Sequence, residues 1–246
     1  MEIKVKNKTI DFFQHDISEK NKVAVSTSSG TDSSLALYLT ALCFPNRKII
    51  PYHMEESQYP GQKPSLFKIV EYFNSILPNK NITEPLIDSV DYCTKGSKWK
   101  LEAIKTPGDL PIKEDGNTGQ AKILASKYYE EKRFENGDVD YMVCGSTSNP
   151  PMEVLKDSNV VYEERRSGRL NPLIGPKHYL PFYHLDKSYI AEMWKKYNLM
   201  DIFKETISCI EYNNHGSKKE LPCKKCYWCY EKFWAFGMYD GGIKWK

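Results

Sequence analysis

Short apolar runs alternate with helical patterns along much of the chain. Mostly apolar runs bounded by polar residues predict buried strands, and apolar residues spaced three and four apart predict helices packed on them. The predicted strands cover residues 22–25, 49–54, 82–87 and 141–144, and the predicted helices cover 35–42, 65–76, 120–134 and a segment that follows a capping Asp186. This alternation is typical of βαβ units and predicts an α/β fold around a parallel sheet.

Other parts of the chain lack this periodicity. Residues 2–20 form a polar lead-in with two short predicted strands, and residues 146–178 are rich in loop-forming residues. Residues 91–119 contain many Gly, Lys, Asp and Pro and are interpreted as a long loop or lid. We expect one large α/β domain over residues 1–200 and a small C-terminal segment over residues 201–246.

Composition narrows the class of protein. The 246 residues are 40% hydrophobic, which is enough for a substantial core, and the net charge is only +3. A nearly balanced charge argues against a dedicated nucleic-acid-binding protein, which would usually carry a basic stripe. No apolar run is long enough for a membrane span, and the N-terminus lacks the apolar region of a signal peptide. We therefore expect a cytoplasmic protein, in the host cytoplasm if the chain is viral.

A polar loop at residues 28–34, Ser-Ser-Gly-Thr-Asp-Ser-Ser, follows the first buried strand and precedes the first long helix. Such a turn directs backbone N–H groups and the positive end of the helix dipole at one point, where an anion can bind. Gly30 can adopt a positive φ that a residue with a Cβ would resist, and Ser28 and Ser33 can add hydroxyl donors. The loop matches neither a Walker A loop nor a Gly-x-Gly-x-x-Gly fingerprint. The predicted ligand is the pyrophosphate part of ATP, and the alternative is a plain serine-rich turn in which Ser caps the helix.

Four of the seven cysteines lie close together in the C-terminal segment, at Cys209, Cys223, Cys226 and Cys229. The Cys-x2-Cys-x2-Cys spacing lets neighbouring thiolates converge on one ion, and four thiolates close the tetrahedral shell of a structural zinc site. His215 could replace Cys209 in this set. An iron–sulfur cluster is the other metal that such cysteines could hold.

The loop at residues 28–34 resembles the Ser-Gly-Gly-x-Asp-Ser signature of the PP-loop ATP pyrophosphatases, with Ser29 where that family usually has Gly. Combined with the C-terminal cysteines, the chain as a whole resembles the 7-cyano-7-deazaguanine synthase (QueC) family. Further stretches similar to that family lie at residues 143–145, 181–190, 206–209 and 226–236. The resemblance implies an adenine nucleotide alpha hydrolase-like, Rossmann-like domain with a small zinc-binding segment.

The resemblance also implies a reaction and its cofactors. ATP with Mg²⁺ adenylates the carboxylate of 7-carboxy-7-deazaguanine and releases pyrophosphate. Ammonia then displaces AMP to give an amide, and a second adenylation leads to the nitrile. The implied partners are the small deazaguanine acid and ammonia, nucleic acid is not expected, and a homodimer is left open.

The residues that the resemblance assigns fall into three sets. The implied ATP-binding set lies in and beside the loop: Ser26, Ser28, Ser29, Gly30, Thr31, Asp32, Ser33 and Ser34. The implied catalytic set is Asp32, Ser33 and Lys187, with Asp32 as a helix cap or a Mg²⁺ ligand through water. Lys187 would reach a phosphate, or would simply lie exposed in a first helical turn. The substrate set begins with Gly145, which the resemblance places near the substrate. Arg165 and Arg166 join this set on their own chemistry: with Arg169 they form a basic cluster whose paired donors could hold a carboxylate or phosphate, and the alternative is a solvated loop.

The chain departs from the QueC family after the strand that ends at Gly145. Residues 146–153 stand where the family has an Asp-Cys-Arg stretch, and its Val-Pro-Gly-Arg-Asn motif is only echoed at 106–108 and 117–118. Alternative hypotheses are a relative that delivers the activated acid to another amine, for example on a protein, and a PP-loop enzyme that thiolates tRNA. A zinc-stabilised, non-catalytic nucleotide-binding module is the alternative without enzyme activity.

Overall fold

A six-stranded, mostly parallel sheet lies at the centre of the protein. The computed structural model describes residues 1–13, 17–56, 61–90, 118–156, 166–209 and 222–244. Within these ranges the strands are β1 (Glu2–Val5), β2 (Lys8–Asp11), β3 (Val23–Ser26), β4 (Ile49–Glu56), β5 (Leu86–Val90), β6 (Tyr141–Cys144), β7 (Leu173–Ile174) and β8 (His178–Leu180). β1 and β2 form a separate hairpin, and the sheet has the order β5-β4-β3-β6-β8-β7. All neighbours in this sheet are parallel except β7 with β8, which confirms the α/β class.

Helices connect and flank these strands. They are α1 (Thr31–Cys43), α2 (Gln62–Ile76), α3 (Thr118–Glu135), α4 (Met152–Leu155), α5 (Lys187–Lys196) and α6 (Tyr227–Phe236), with 3-10 helices at Met200–Glu205 and Asp240–Gly242. Asp186 caps α5 as predicted, because its carboxylate accepts a hydrogen bond from the Ser188 N–H at 2.9 Å. Among the helices of the described ranges, none is both long and apolar enough to cross a membrane.

Two sequence predictions need correction. The strand expected at 82–87 begins only at Leu86, and Ile82 contributes an isolated bridge to Ile49. Pro85 explains the break, because proline has no N–H to donate to a sheet. The described part of the segment at 146–178 is rich in loops and contains only the short elements α4 and β7, but the sequence did not predict β8 at its end, the fifth parallel strand. Most of the predicted lid, residues 91–117, lies outside the described residues.

The strand order fixes where a ligand would bind. From β3 the chain moves outward on one side to β4 and β5, and it then crosses to β6 on the other side of β3. Carboxyl ends of parallel strands on either side of such a reversal leave a crevice between their loops, and ligands of open α/β sheets bind there. The loop at residues 28–34 follows β3, so it lies at this crevice, next to the end of β6.

The C-terminal segment shares the main hydrophobic core. Trp194 of α5 is fully buried and its ring lies 6.0 Å from the ring of Phe203 and 6.2 Å from that of Phe236 at the end of α6. The rings of Phe203 and Phe236 are 4.9 Å apart. Burial of these rings removes a large apolar area from water and joins α6 to the sheet domain through α5.

Candidate functional site

The loop at residues 28–34 has an unexpected residue in the left-handed conformation. Gly30 is the N-cap of α1 and is extended, with a φ of −77°, so it does not adopt the positive φ that a glycine allows. Ser29 has the positive φ, 59°, although it carries a Cβ. Its hydroxyl donates to the Gln62 carbonyl, and its own carbonyl accepts from the Ile207 N–H at 2.9 Å. Contacts on both sides hold a conformation that serine adopts only at some cost.

The serine hydroxyls brace this loop internally. The Ser28 N–H donates to the Ser33 hydroxyl at 3.2 Å, and that hydroxyl donates to the Gly30 carbonyl at 3.2 Å. The alternative in which a serine caps α1 is therefore wrong, because Gly30 occupies the N-cap and makes no side-chain cap bond. The first backbone N–H groups of any α-helix have no intrahelical acceptor. At α1 they begin with Thr31 and Asp32 and are directed at the crevice, as an anion site requires.

Gly145 lets the end of β6 pass directly beside this loop. A Cβ at position 145 would lie 2.6 Å from the Asp32 carbonyl oxygen and 2.7 Å from the Ser33 nitrogen. Real Cβ atoms do not approach a backbone so closely, so only glycine fits while α1 stays in place. Gly145 therefore contacts the backbone of the loop at residues 28–34, and its predicted part in substrate binding stays a prediction.

Four charged side chains form a continuous chain beside the loop. The Lys187 ammonium lies 3.1 Å from an Asp32 oxygen and 3.0 Å from a Glu231 oxygen. The other oxygen of Glu231 accepts from the Arg166 guanidinium at 2.6 Å. Lys187 is only 3% exposed and Glu231 only 1%, so the interpretation of Lys187 as a surface residue is wrong. The four formal charges cancel, which makes their joint burial tolerable.

Burial and neighbouring charge set the ionisation of these groups in different ways. Burial raises the pKa of Asp32 above its ordinary value, against the opposing effect of the Lys187 charge. Burial lowers the pKa of Lys187, but Asp32 and Glu231 outweigh it and the net direction is upward. The net direction favours the protonated, cationic form of Lys187, whereas burial of Asp32 favours its neutral form.

A cleft of about 250 Å³ opens next to Asp32. It combines an aromatic ring, hydroxyls and guanidinium groups, and its lining includes Asp32, Ser146, Thr147, Arg169, Trp228 and Glu231. Arg169 donates to the Thr147 carbonyl at 2.8 Å and lies 3.9 Å from the centre of the Tyr183 ring. Arg166 also lines this cleft and donates to the Thr147 hydroxyl at 2.8 Å. The cleft therefore has the polarity to accept a small anionic molecule beside the loop at residues 28–34.

The remaining predicted residues are spread around this centre. Ser26 ends β3 at the base of the loop. Ser34 is buried in the first turn of α1, where its N–H donates to the Gly30 carbonyl at 3.0 Å. Arg165 lies outside the described residues. Arg166 does not lie in a solvated loop, since Glu231 and Thr147 hold its guanidinium at the cleft.

The four predicted cysteines converge on one point. Their sulfur atoms all lie within 4.8 Å of one another, and the Cys223–Cys229 and Cys209–Cys226 pairs are each 3.9 Å apart. In a tetrahedral site with Zn–S bonds of about 2.3 Å, neighbouring sulfurs lie about 3.8 Å apart. A cubane iron–sulfur cluster binds each thiolate through a different iron, which needs wider spacing. The donor set and its spacing therefore fit a single tetrahedral ion. His215 lies outside the described residues.

Backbone N–H groups donate to the cysteine sulfurs, and neighbouring thiols shift the pKa values of the cysteines. The Cys223 N–H donates to the Cys209 sulfur at 3.3 Å, and the Cys226 N–H donates to the Cys223 sulfur at 3.3 Å. Hydrogen bonds from the Cys226 and Cys229 thiols lower the pKa of Cys209 to about 2, while the hydrogen bond to Cys209, together with burial, raises the pKa of Cys226 to about 12. Only a cation would let all four cysteines ionise together, so metal binding would release protons.

Comparison with known proteins gives little beyond the architecture. No protein-family model and no curated protein matches the chain. Among solved structures, the U34-tRNA thiolase NcsA from Methanococcus maripaludis with its [4Fe-4S] cluster is similar over 87% of this chain, with 13% sequence identity and a TM-score of 0.40. The similar region covers 62% of that chain, which is less than two thirds of its length. A likeness at this level assigns no activity.

Some residues at the site were not singled out from the sequence. They are Trp228 and Glu231, which lie on α6 after Cys226 and Cys229 respectively and line the cleft. Lys232, the next residue of α6, is also buried and is paired with Asp240. The Cys-x2-Cys-x2-Cys spacing could have suggested that a helix begins within this cysteine segment, as α6 does at Tyr227. No sequence signal joins Glu231 to Lys187, because 44 residues separate them and neither belongs to a shared motif.

Proposed function

We propose that this protein is an ATP-dependent ligase that activates a carboxylate by adenylation and releases AMP and pyrophosphate. The proposed acid is 7-carboxy-7-deazaguanine, the proposed amine is ammonia, and the proposed product is 7-cyano-7-deazaguanine. One observation supports this most directly: the loop at residues 28–34, the Asp32–Lys187 pair and a cleft with arginine and tryptophan meet at the switch point of the sheet.

The nucleotide half of the site supports pyrophosphate departure. When the acid oxygen attacks the α-phosphorus, the bond from that phosphorus to the bridging oxygen breaks and negative charge grows on the leaving pyrophosphate. The first-turn N–H groups of α1 and the Lys187 ammonium are fixed donors for that charge, so little reorganisation accompanies the step. Asp32, 3.1 Å from Lys187, would hold Mg²⁺ through water at the same phosphates.

The cleft supports binding of the acid. Trp228 offers a flat face for a planar ring, and the Arg169 guanidinium offers paired donors for a carboxylate. After adenylation, ammonia would attack the acyl carbon, the bond from that carbon to the AMP oxygen would break, and the amide would form. A second adenylation on the amide oxygen, followed by loss of AMP and two protons, would leave the nitrile.

We propose zinc as the ion of the four-cysteine cluster, in a structural role. Cys209, Cys223, Cys226 and Cys229 fill a tetrahedral shell and leave no open position for a substrate. The ion would stabilise the C-terminal segment that carries Trp228 and Glu231 into the cleft.

The decisive experiment incubates the zinc-loaded protein with ATP, Mg²⁺ and 7-carboxy-7-deazaguanine, with and without ammonium. AMP and pyrophosphate are quantified by chromatography and the product by mass spectrometry. The nitrile with AMP supports the proposal. AMP with only an amide or an adduct supports transfer to another amine, and no AMP with this acid or with tRNA and a sulfur donor supports a non-catalytic module.

Asp32→Asn tests the nucleotide site within the same assay. The amide keeps the size of the side chain but loses the charge that would hold Mg²⁺, so AMP formation should fall at least about 100-fold. Bound zinc should be unchanged. Asp201→Asn, on an exposed residue of the 3-10 helix after α5, is the matched control. Full activity of Asp32→Asn would contradict the proposed role.

A further inference from the structure

Two sets of contacts join the four-cysteine cluster to the loop at residues 28–34. The first runs through the segment that ends at Cys209. In that segment the Ile207 N–H donates to the carbonyl of Ser29, the residue with the positive φ. One Asp240 oxygen accepts from the N–H groups of Ser208 and Cys209, at 2.8 and 2.7 Å. The cysteine is thus only two residues from a direct contact with the loop.

The second set of contacts runs along α6. Cys226 is the N-cap of this helix and Cys229 lies in its first turn, so an ion bound by both would fix how the helix begins. Glu231 follows two residues later and is almost fully buried. Its carboxylate bridges Lys187 and Arg166, and Lys187 continues the chain to Asp32 on the loop.

The bridging position of Glu231 gives it more than a packing role. Lys187 is shared between two carboxylates at nearly equal distances, 3.1 Å to Asp32 and 3.0 Å to Glu231. A shift of α6 would therefore change the place of the ammonium relative to the loop. Because the pair is buried, a lost partner leaves an uncompensated charge, and the arrangement changes rather than relaxing into water.

We propose that the metal site and the nucleotide site stabilise each other, with Glu231 as the positioning residue between them. An ion at the four cysteines fixes α6, Glu231 then fixes Lys187 at the loop, and a nucleotide on the loop restrains the same chain from the other end. Coupling of two binding equilibria is reciprocal, so nucleotide must raise the affinity for the ion by the factor by which the ion raises the affinity for nucleotide. This inference rests on the nucleotide site of the proposed function.

The test measures zinc affinity and needs no turnover. The full, zinc-loaded chain is equilibrated with a chromogenic zinc chelator, with and without Mg²⁺ and a non-hydrolysable ATP analogue. The same titration without protein corrects for zinc bound by the analogue. We expect the analogue to raise the zinc affinity by about 5-fold or more, the lower end of typical coupling factors.

Variants locate the coupling. Glu231→Gln keeps the side-chain size but loses the charge shared by Lys187 and Arg166, so zinc affinity without nucleotide should stay close to the wild-type value while the increase disappears. Glu192→Gln is the matched control, because Glu192 lies on α5 in an exposed pair with Lys195. It should retain the full increase. A residue with only a structural role would not make zinc affinity depend on nucleotide.

The outcomes are separable. Calorimetric titration of the wild-type protein with the Mg²⁺ analogue comes first, and absence of binding would overturn the proposed function together with this inference. Nucleotide binding with an unchanged zinc affinity would overturn the inference alone. A full increase in Glu231→Gln would refute the role of Glu231. If that variant does not fold, the wild-type comparison by itself decides whether the two sites are coupled.

Discussion

Gly145 shows how a single missing methyl group shapes the candidate site. The constraint is distance rather than dihedral angle, because an added Cβ would meet backbone atoms of Asp32 and Ser33 at 2.6–2.7 Å. These atoms belong to the start of α1, where Thr31, Ser33 and Ser34 are buried, so the helix cannot move aside cheaply. The position of the loop at residues 28–34 therefore depends on Gly145, the residue that follows β6.

We predict that Gly145→Ala separates the loop from β6. Overpacking of this kind typically costs about 1–3 kcal/mol of the free energy of unfolding, and nucleotide affinity should fall with it. Chemical denaturation measures the first effect and calorimetric titration the second. Gly175→Ala is the control, because its Cβ would meet nothing closer than 3.5 Å. Equal stability of the two variants would contradict the close approach.

The sequence predicts the residue types of the site better than their conformations. The strand–loop–helix pattern locates residues 28–34 correctly, but it does not show that the positive φ belongs to Ser29 and not to Gly30. The sequence could not show that Gln62 and Ile207 hold Ser29 from outside the loop, since both are distant in the chain. The role of Glu231 could not be predicted for the same reason, because its partners Lys187 and Arg166 are distant in the chain.

At the scale of elements, periodicity predicts long and strongly apolar elements well. β3, β4 and β6 and the helices α1, α2 and α5 lie where the pattern puts them, because their apolar faces are dictated by burial. β8 has only three residues and follows a stretch with Gly175 and Pro176, so its sequence carries no alternation to detect. It becomes a strand through pairing with β6, which is a tertiary effect.

The cysteine cluster and α6 give a prediction at this scale. Cys226→Ser removes one of the four thiolates, the one carried by the N-cap residue of α6. Zinc content should therefore fall from about one ion per chain to well below that. Elemental analysis of the purified protein measures it, and no brown chromophore is expected in the wild type. Cys43→Ser is the control because Cys43 ends α1 and is not part of the cluster. Unchanged zinc in Cys226→Ser would refute the assignment.

At the scale of the whole molecule, the C-terminal segment does not stand apart from the sheet domain. Phe236 of α6 packs against Trp194 and Phe203, and Glu231 and Lys187 join the same helices through charge. A segment that shares a core and buried ion pairs with its neighbour is expected to unfold with it.

We therefore predict one cooperative unfolding transition whose midpoint falls when the ion is removed. A ligand that binds only the folded state raises its stability, so chelation before heating should lower the midpoint of the whole molecule. Calorimetry and far-ultraviolet circular dichroism should report the same temperature. A separate early transition that carries only part of the helical signal would show that the metal segment unfolds independently.

Trp194 can provide a fluorescence signal from the loop at residues 28–34. Its indole N–H donates to the Thr31 carbonyl at 3.0 Å, so a buried fluorophore touches the first residue of the helix that would face the nucleotide. A bound polyphosphate would change the electric field at that indole, whereas Trp228 lies in the cleft and would respond to the acid. Emission changes on adding nucleotide should vanish in Trp194→Phe, and those on adding the acid in Trp228→Phe. Two of the five tryptophans would thus report separately on the two proposed substrates.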